Sequence, residues 1–260
     1  MREIDKFRGC LIGGAAGDAL GYAVEFRTAD RIFAQYGENG ITEYALNNGV
    51  AEISDDTQMT LFTANGLLIH ATRKEEPVQN CIYLSAAALA HIVRRLTENE
   101  PETVLSAVTD AMRVLPMLIP ETEHLHEMLE LMQKAVKLAD TELDDLDAIR
   151  QLGGGWVGEE TLAIAIYCAV KYENNFEKAL IASVNHDGDS DSTGAVTGNI
   201  LGARLGYDAI PLKFIEKLEL RDVILEIADD LRYAGENKDR TAFDNPQWIG
   251  KYVKADYTPH

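Results

Sequence analysis

Apolar residues recur at three- and four-residue spacing along most of the chain, as in Leu125, Met128, Leu129 and Met132. This spacing is typical of amphipathic helices, and the alternation typical of strands is nearly absent. The pattern predicts an all-α fold, a compact bundle of about ten short helices. The predicted helices cover residues 4–21, 57–72, 78–97, 102–115, 122–139, 159–172, 176–184, 193–205, 211–219 and 221–234.

Glycine-rich segments lie between these helices, but no strand-helix-strand unit surrounds them. A dinucleotide-binding fold and a P-loop are therefore excluded. Turn-forming residues predict loops at 37–49, 153–158 and 187–192. Neither a tandem repeat nor a low-complexity linker divides the sequence, so we expect a single domain over residues 1–260.

The charge balance is strongly acidic, with 24 Lys and Arg against 43 Asp and Glu and a net charge of −19. Such a chain repels phosphate backbones and anionic lipids, so we expect no nucleic-acid and no membrane partner. Cys10, Cys81 and Cys168 form neither a disulfide framework nor a zinc pattern. Because no signal peptide or membrane span is recognisable either, we expect a cytoplasmic protein. The oligomeric state is left open.

The segment Ser54-Asp55-Asp56-Thr57 directly precedes a predicted helix. Side chains of these types cap helix N-termini and complement the helix dipole, so the segment can be interpreted as a cap. A single capping side chain is enough for one helix N-terminus, however, and this segment has four candidates. A metal site is therefore the second interpretation.

Three carboxylates alternate with small residues in the segment 187–191, D-G-D-S-D, just before another predicted helix. A cap does not need three like charges, and a bound cation offsets their repulsion, so the pattern favours a metal site. A calcium EF-hand loop is excluded, because it needs Gly and Glu where this chain has Ser192 and Gly198. Oxygen-only donors suit Mg²⁺ or Mn²⁺ better than zinc, and acids on both sides predict two ions.

Asp18 and Glu25 lie among small and apolar residues, where an acid is costly unless it is paired, hydrogen-bonded or metal-bound. Seven residues apart, they share one helix face if the helix continues that far. We expect His186, the histidine nearest a motif, to be a positioned residue rather than a ligand.

Two glycine patterns have structural interpretations. The four-residue repeat within 194–206 predicts close packing of its helix against another element. The glycines of 153–158 suit either phosphate binding or a tight loop that caps the next helix.

Four segments, in order along the chain, resemble the signatures of the ADP-ribosylglycohydrolases, a family that includes the dinitrogenase reductase-activating glycohydrolase and the J1 crystallins. The segments are G-C-L-I-G-G-A-A-G-D-A-L-G-Y-A-V-E-F at 9–26, S-D-D-T-Q-M-T-L at 54–61, G-G-G-W-V-G-E-E-T-L-A-I-A-I-Y at 153–167 and D-G-D-S-D-S-T-G-A-V-T-G-N-I-L-G-A at 187–203. The resemblance implies an orthogonal helical bundle with a two-metal site. It also implies hydrolysis of the glycosidic bond that links ADP-ribose to a protein side chain or a small molecule.

Carried over position by position, the resemblance implies metal ligands at Ser54, Asp55, Asp56, Asp189, Asp191 and Ser192. Glu25 matches the acid that faces the metals and the substrate, and it is the expected catalytic residue. Two divalent cations, Mg²⁺ or Mn²⁺, are the expected cofactors. They act as Lewis acid and template on the ribose hydroxyls and a water, while the Glu25 carboxylate assists proton transfer.

The chain departs from the family pattern between residues 72 and 120. Relatives commonly carry there a Gly-rich stretch that runs into G-x-x-M-R-x-x-P and helps to hold the substrate's phosphates, whereas here only 111–116 resembles it, without the glycines. The linkage cleaved, to arginine, serine or an O-acetyl group, is left open. The alternatives are a non-catalytic crystallin-like or ADP-ribose-binding relative, and a dimetal hydrolase of another nucleotide or glycoside.

Overall fold

The computed structural model describes residues 2–73, 84–98, 103–234 and 246–252. Within these ranges the chain is helical and contains no strand beyond isolated β-bridges, so the predicted all-α fold is confirmed. Twelve α-helices are found there: α1 Arg2–Gly21, α2 Ala29–Tyr36, α3 Asp55–Arg73, α4 Leu84–Glu98, α5 Val104–Leu118, α6 Glu123–Ala139, α7 Asp145–Ile149, α8 Gly158–Lys171, α9 Phe176–Val184, α10 Ser190–Leu205, α11 Arg221–Ala234 and α12 Pro246–Tyr252.

The predicted helix over 211–219 is wrong. The chain forms only a single 3₁₀ turn there, Leu212–Phe214. Lys217 and Glu219 pair instead with a distant residue, Ala51. The N–H of Ala51 donates to the carbonyl of Lys217 at 2.8 Å, and the N–H of Glu219 donates to the carbonyl of Ala51 at 3.0 Å. Backbone groups that a helix would use are therefore engaged elsewhere.

Helix α8 lies at the centre of the described fold. All of its residues from Thr161 to Ala169 are buried, so it is apolar on every side, as a helix surrounded by others must be. Helices α6, α9 and α10 pack around it and share one large apolar cluster with it. No helix in the described ranges is long and apolar enough to cross a lipid bilayer.

Helices α1 and α10 form the most extensive helix pair, and they contact each other through glycines. A Cβ atom added at Gly198 would overlap the backbone carbonyl of Gly13, and one added at Gly13 would overlap the carbonyl of Gly198. The same relation joins Gly17 with Gly194 and Gly9 with Gly202. The two helices are therefore antiparallel and touch backbone to backbone, as the glycine repeat predicts.

We expect Gly198→Ala to lower the free energy of unfolding by about 1–3 kcal/mol, because the added methyl group forces two backbones apart. Gly66→Ala is the matched control, since Gly66 is helical and exposed and an added Cβ there meets nothing within 4 Å. It is expected to raise stability slightly. Urea unfolding of both variants measures the difference, and equal stabilities would contradict the close contact of α1 with α10.

Candidate metal centre

The N-terminus of α3 is capped without help from the carboxylates of Asp55 and Asp56. The Oγ atom of Ser54 accepts a hydrogen bond from the N–H of Asp56 at 3.2 Å. Asp18, fully buried in α1, accepts hydrogen bonds from the N–H groups of Ser54 at 3.0 Å and Thr57 at 3.1 Å. Because the N–H groups of Ser54, Asp56 and Thr57 are bonded in this way, the cap interpretation does not account for the carboxylates of Asp55 and Asp56.

The N-terminus of α10 carries the second group of acids. Asp189 caps the helix, and its Oδ1 atom accepts a hydrogen bond from the N–H of Ser192 at 3.3 Å. Asp191, only 3% exposed, accepts from the same N–H at 2.9 Å. The N–H of Asp189 donates to the carbonyl of Gly154 at 2.9 Å, which fixes the loop ahead of the helix.

The structure brings the two acidic segments into contact. Ser192 Oγ donates a hydrogen bond to Asp56 Oδ2 at 2.9 Å, although 136 residues separate them. Carboxylate oxygens of Glu25, Asp189 and Asp191 all lie within 4.8 Å of one another. Residues from three distant parts of the sequence therefore meet at one acidic cluster.

Glu25 reaches the cluster from a turn, not from a helix. Helix α1 ends at Gly21 and a 3₁₀ turn, Tyr22–Val24, follows, so Glu25 does not continue the helix face of Asp18. Phe26, with a positive φ of 59°, reverses the chain, and its N–H donates to the carbonyl of Gly188 at 3.1 Å. The turn is thus bound to the loop that precedes α10.

Burial and mutual repulsion raise the pKa values of the clustered carboxyl groups. Burial raises the pKa of Glu25 to about 7, and nearby carboxylates, Asp191 first among them, act in the same direction. Burial raises the pKa of Asp56 to about 6, against the hydrogen bond from Ser192. The pKa of Asp191 is also raised, by burial and then by Asp189. The neighbouring charges that raise these values are all carboxylates.

The residues present fit hard divalent cations. The donor set of the two segments is made of carboxylate and hydroxyl oxygens, which Mg²⁺ and Mn²⁺ prefer. A cation bound among crowded carboxylates supplies the opposite charge that they lack and favours their ionised form. The chemistry of the site therefore matches the predicted cofactor class.

We expect the metal-free protein to lose stability as the pH rises from about 4 to about 7. The folded chain holds protons on Glu25 and Asp56 up to pKa values of about 7 and about 6, whereas their ordinary values are 4.5 and 3.8. Between these limits the folded state binds more protons than the unfolded state, so raising the pH favours unfolding. Urea unfolding in EDTA at pH 5 and pH 7.5 measures the slope. Asp56→Asn should show a smaller slope, and an identical slope would contradict the raised pKa of Asp56.

The third carboxylate of the D-G-D-S-D segment lies outside the cluster. Asp187 accepts hydrogen bonds from the N–H of Ala29 at 2.7 Å and from Arg150 Nε at 2.9 Å. Burial acts to raise the pKa of Asp187, but these two partners lower it overall. Sequence reasoning missed both this pairing and the capping role of Asp18, because neither leaves a local pattern.

The remaining motif residues have structural positions. His186 is fully buried, and its Nε2 atom lies 2.8 Å from Thr193 Oγ1, in agreement with a positioned histidine. In the glycine-rich loop, the N–H groups of Gly154 and Trp156 both donate to Glu160 Oε2, at 3.1 and 3.2 Å. These N–H groups are thus used within the loop, which favours the tight-loop interpretation over phosphate binding.

Comparison with known proteins places the chain. The family model for ADP-ribosylglycohydrolase matches residues 1–81 and 78–241. The chain is 24% identical over 277 residues to the ADP-ribosyl-(dinitrogen reductase) glycohydrolase of Rhodospirillum rubrum, covering 84% of this chain and 91% of the relative. It is 26% identical over 301 residues to an uncharacterized protein of Archaeoglobus fulgidus, covering 87% and 96%. A solved structure described as an ADP-ribosylglycohydrolase-related protein complex covers 90% of this chain and 99% of its own, with 22% identity and a TM-score of 0.48. Because the family model matches most of its length, the chain belongs to the ADP-ribosylglycohydrolase family.

Proposed function

We propose that this protein is a metal-dependent hydrolase that cleaves the glycosidic bond of ADP-ribosyl conjugates. The observation that carries the proposal is the meeting of Glu25, Asp189 and Asp191 within 4.8 Å of one another, in a chain of this family. The Ser192–Asp56 hydrogen bond supports it, because it joins the two acidic segments directly. A crystallin-like protein with no metal to bind has no need of such a cluster.

The residues proposed to hold two divalent cations are Ser54, Asp55, Asp56, Asp189, Asp191 and Ser192. Bound there, the cations would supply Lewis-acid polarisation of ribose oxygens and of a water. Capping by Asp18 leaves the carboxylates of Asp55 and Asp56 available for this role. The N-terminus of α10 contributes the facing carboxylates from one rigid turn.

Glu25 is proposed as the carboxyl group that transfers a proton. Burial and the nearby carboxylates raise the pKa of Glu25 to about 7 in the metal-free chain. Cations bound beside it would lower this pKa, so Glu25 would be ionised at neutral pH and able to accept a proton. Its carboxylate lies beside Asp189 and Asp191 but belongs to a separate turn. It can therefore contact a substrate placed over the cluster.

The substrate assignment rests on the family and on the printed name of the Rhodospirillum rubrum relative, an ADP-ribosyl-(dinitrogen reductase) glycohydrolase. The segment 111–116, which resembles the phosphate-binding stretch of relatives, lies inside α5 as regular helix. Residues 74–83 and 99–102 of that region lie outside the described residues. The linkage cleaved is accordingly a question for experiment.

We propose that residues 1–260 act as one domain in the cytoplasm, on protein-linked or small-molecule ADP-ribosyl substrates. The net charge of −19 supports the absence of nucleic-acid and anionic-membrane partners. Cys10 and Cys168 carry free thiols, as expected in a reducing compartment, and Cys81 lies outside the described residues.

Metal dependence and turnover test the proposed function together. We expect elemental analysis to find two Mg²⁺ or Mn²⁺ ions per chain. At a free concentration a hundredfold above its Kd, one bound ion stabilises the folded state by about 2.7 kcal/mol, and two ions by about 5 kcal/mol. The melting temperature in Mn²⁺ should therefore exceed that in EDTA by roughly 10–20 °C. Chromatography should detect ADP-ribose released from an arginine-, serine- or O-acetyl-linked conjugate, and only with metal present.

The outcomes separate the alternatives. Identical melting curves with no bound metal would contradict the dimetal site. Metal binding and ADP-ribose binding without cleavage of any conjugate would favour a binding protein. Cleavage of a different nucleotide or glycoside would support the dimetal hydrolase and contradict the proposed ADP-ribosyl substrate.

A further inference from the structure

The side chain of Asp187 joins two segments that carry residues of the candidate site. Its Oδ1 atom accepts a hydrogen bond from the N–H of Ala29 at 2.7 Å, at the start of α2. Its Oδ2 atom accepts one from Arg150 Nε at 2.9 Å, directly after α7. Ala29 follows Phe26 closely, and Arg150 precedes the loop of Trp156. One carboxylate thus connects the start of α2, just after the Glu25 turn, with the end of α7, just before the glycine-rich loop.

Two backbone hydrogen bonds link the same three segments. The N–H of Phe26 donates to the carbonyl of Gly188 at 3.1 Å, and the N–H of Asp189 donates to the carbonyl of Gly154 at 2.9 Å. The loop before α10 is therefore hydrogen-bonded both to the Glu25 turn and to the glycine-rich loop.

The joined segments place two exposed aromatic rings against each other. The rings of Phe26 and Trp156 are stacked, with centroids 5.6 Å apart and planes 12° apart. They are 67% and 58% exposed, so little of the surrounding core holds them in place. Phe26 directly follows Glu25, whose carboxylate lies within 4.8 Å of those of Asp189 and Asp191. A displacement of the Phe26 backbone would therefore displace Glu25 as well.

We propose that Asp187 and Arg150 are a positioning pair for Glu25. Together they hold the turn of Glu25 and the loop of Trp156 in one relative arrangement, and this sets the Glu25 carboxylate against the acids of α10. The catalytic part of this proposal rests on the proposed function, whereas the structural part does not. Asp187 is proposed to act through other residues, because its two carboxylate oxygens accept hydrogen bonds from Ala29 and Arg150.

The Arg150–Asp187 pair is solvent-exposed, which favours a local positioning role over a contribution to global stability. The Arg150 and Asp187 side chains are 47% and 39% exposed. Ion pairs this exposed contribute little to global stability. Their removal is therefore expected to leave the helical fold intact and to act on the two connected loops.

Acrylamide quenching of tryptophan fluorescence in metal-free protein tests the structural part. The chain has two tryptophans, and Trp248 is 4% exposed, so the quencher reaches Trp156 selectively. The Phe26→Ala variant is the reference, because it gives the quenching constant of Trp156 when no stacked ring covers it. We expect Arg150→Gln and Asp187→Ala to raise the constant most of the way to that value, with unchanged circular dichroism.

Two further variants serve as controls. Arg150→Lys keeps a charged donor and is expected to restore most of the wild-type quenching. Arg221→Gln removes an arginine of similar exposure, 38%, from its ion pair with Asp222. It is expected to leave the quenching constant and turnover unchanged.

Steady-state kinetics test the catalytic part. With a conjugate that the wild type cleaves, Arg150→Gln and Asp187→Ala should lower kcat about tenfold and leave KM within about threefold, because they displace a reacting group and remove no binding contact. The Mn²⁺ affinity should stay close to that of the wild type. If the pair only stabilised the fold, its removal would lower the free energy of unfolding and would not lower kcat selectively over KM.

Each outcome decides the proposal. Unchanged quenching in both variants overturns it, because the pair then does not hold the stack. Raised quenching with a wild-type kcat overturns the link to Glu25. A wild type that cleaves no conjugate contradicts the proposed function, and the quenching result alone then supports or overturns the positioning of the turn.

Discussion

Asp191→Asn is expected to lower the affinity for Mn²⁺ on the order of a hundredfold or more, since loss of outer-shell partners alone commonly costs 10- to 100-fold. Asp191 is 3% exposed, and its carboxylate lies with those of Glu25 and Asp189 within 4.8 Å. An amide keeps the size and the acceptor for the Ser192 N–H but removes the charge that a cation needs. Isothermal titration calorimetry measures the affinity, and hydrolysis should fall with it.

The same substitution should not damage the fold. Burial and Asp189 raise the pKa of Asp191, so its charge opposes folding when no metal is bound. Metal-free Asp191→Asn is therefore expected to be at least as stable as the metal-free wild type. Asp222→Asn, which changes a carboxylate that is 81% exposed, is the control for both measurements. A large loss of helicity in the metal-free Asp191 variant would mean that Asp191 is mainly structural.

Glu25→Gln is expected to slow the release of ADP-ribose on the order of a hundredfold or more, which is a typical contribution of one general acid or base. Glutamine keeps the size of the side chain and cannot exchange a proton. Two metal ions per chain should still bind, because the six proposed ligand positions are unchanged. Single-turnover kinetics with saturating Mn²⁺ and elemental analysis measure the two quantities.

The control for this variant is Glu142→Gln, an exposed glutamate between α6 and α7. It should match the wild type in both assays. If Glu25→Gln loses a metal ion together with activity, Glu25 is a ligand, and its role in proton transfer is contradicted. Turnover at the wild-type rate would make Glu25 a packing residue.

Helical periodicity predicted most of the fold because long helices bury one face. Helices were predicted in the regions of α1, α3, α4, α5, α6, α8, α9, α10 and α11, with bounds that differ by a few residues within the described ranges. Residues 78–83 and 102 of the predicted helices lie outside the described residues. The sequence reasoning missed α2, α7 and α12, which have eight, five and seven residues. A helix of one or two turns shows too few periodic positions to be recognised. The error at 211–219 has a different cause, since a long-range backbone pairing there overrides local periodicity.

The acids of the candidate site attract attention in the sequence, because like charges at neighbouring or alternate positions repel one another unless a cation or a proton offsets them. Their spatial meeting could not be derived from spacing, since Ser192 and Asp56 are 136 residues apart and only the fold brings them together. The role of Asp18 was hidden for the same reason, as it caps a helix other than its own. Which of the acids bind metal, and whether Glu25 transfers a proton, stay predictions.

The contact of α1 with α10 has a consequence for protein synthesis. Helix α1 is made before α10, which begins only at Ser190, so the glycine surface of α1 has no partner helix for roughly ten to forty seconds at a ribosomal rate of about 5–20 residues per second. During this time the nascent chain already carries Ser54, Asp55 and Asp56, but not the acids of α10. The proposed cation site therefore cannot assemble before α10 has been made, and we expect metal capture to follow the synthesis of that helix.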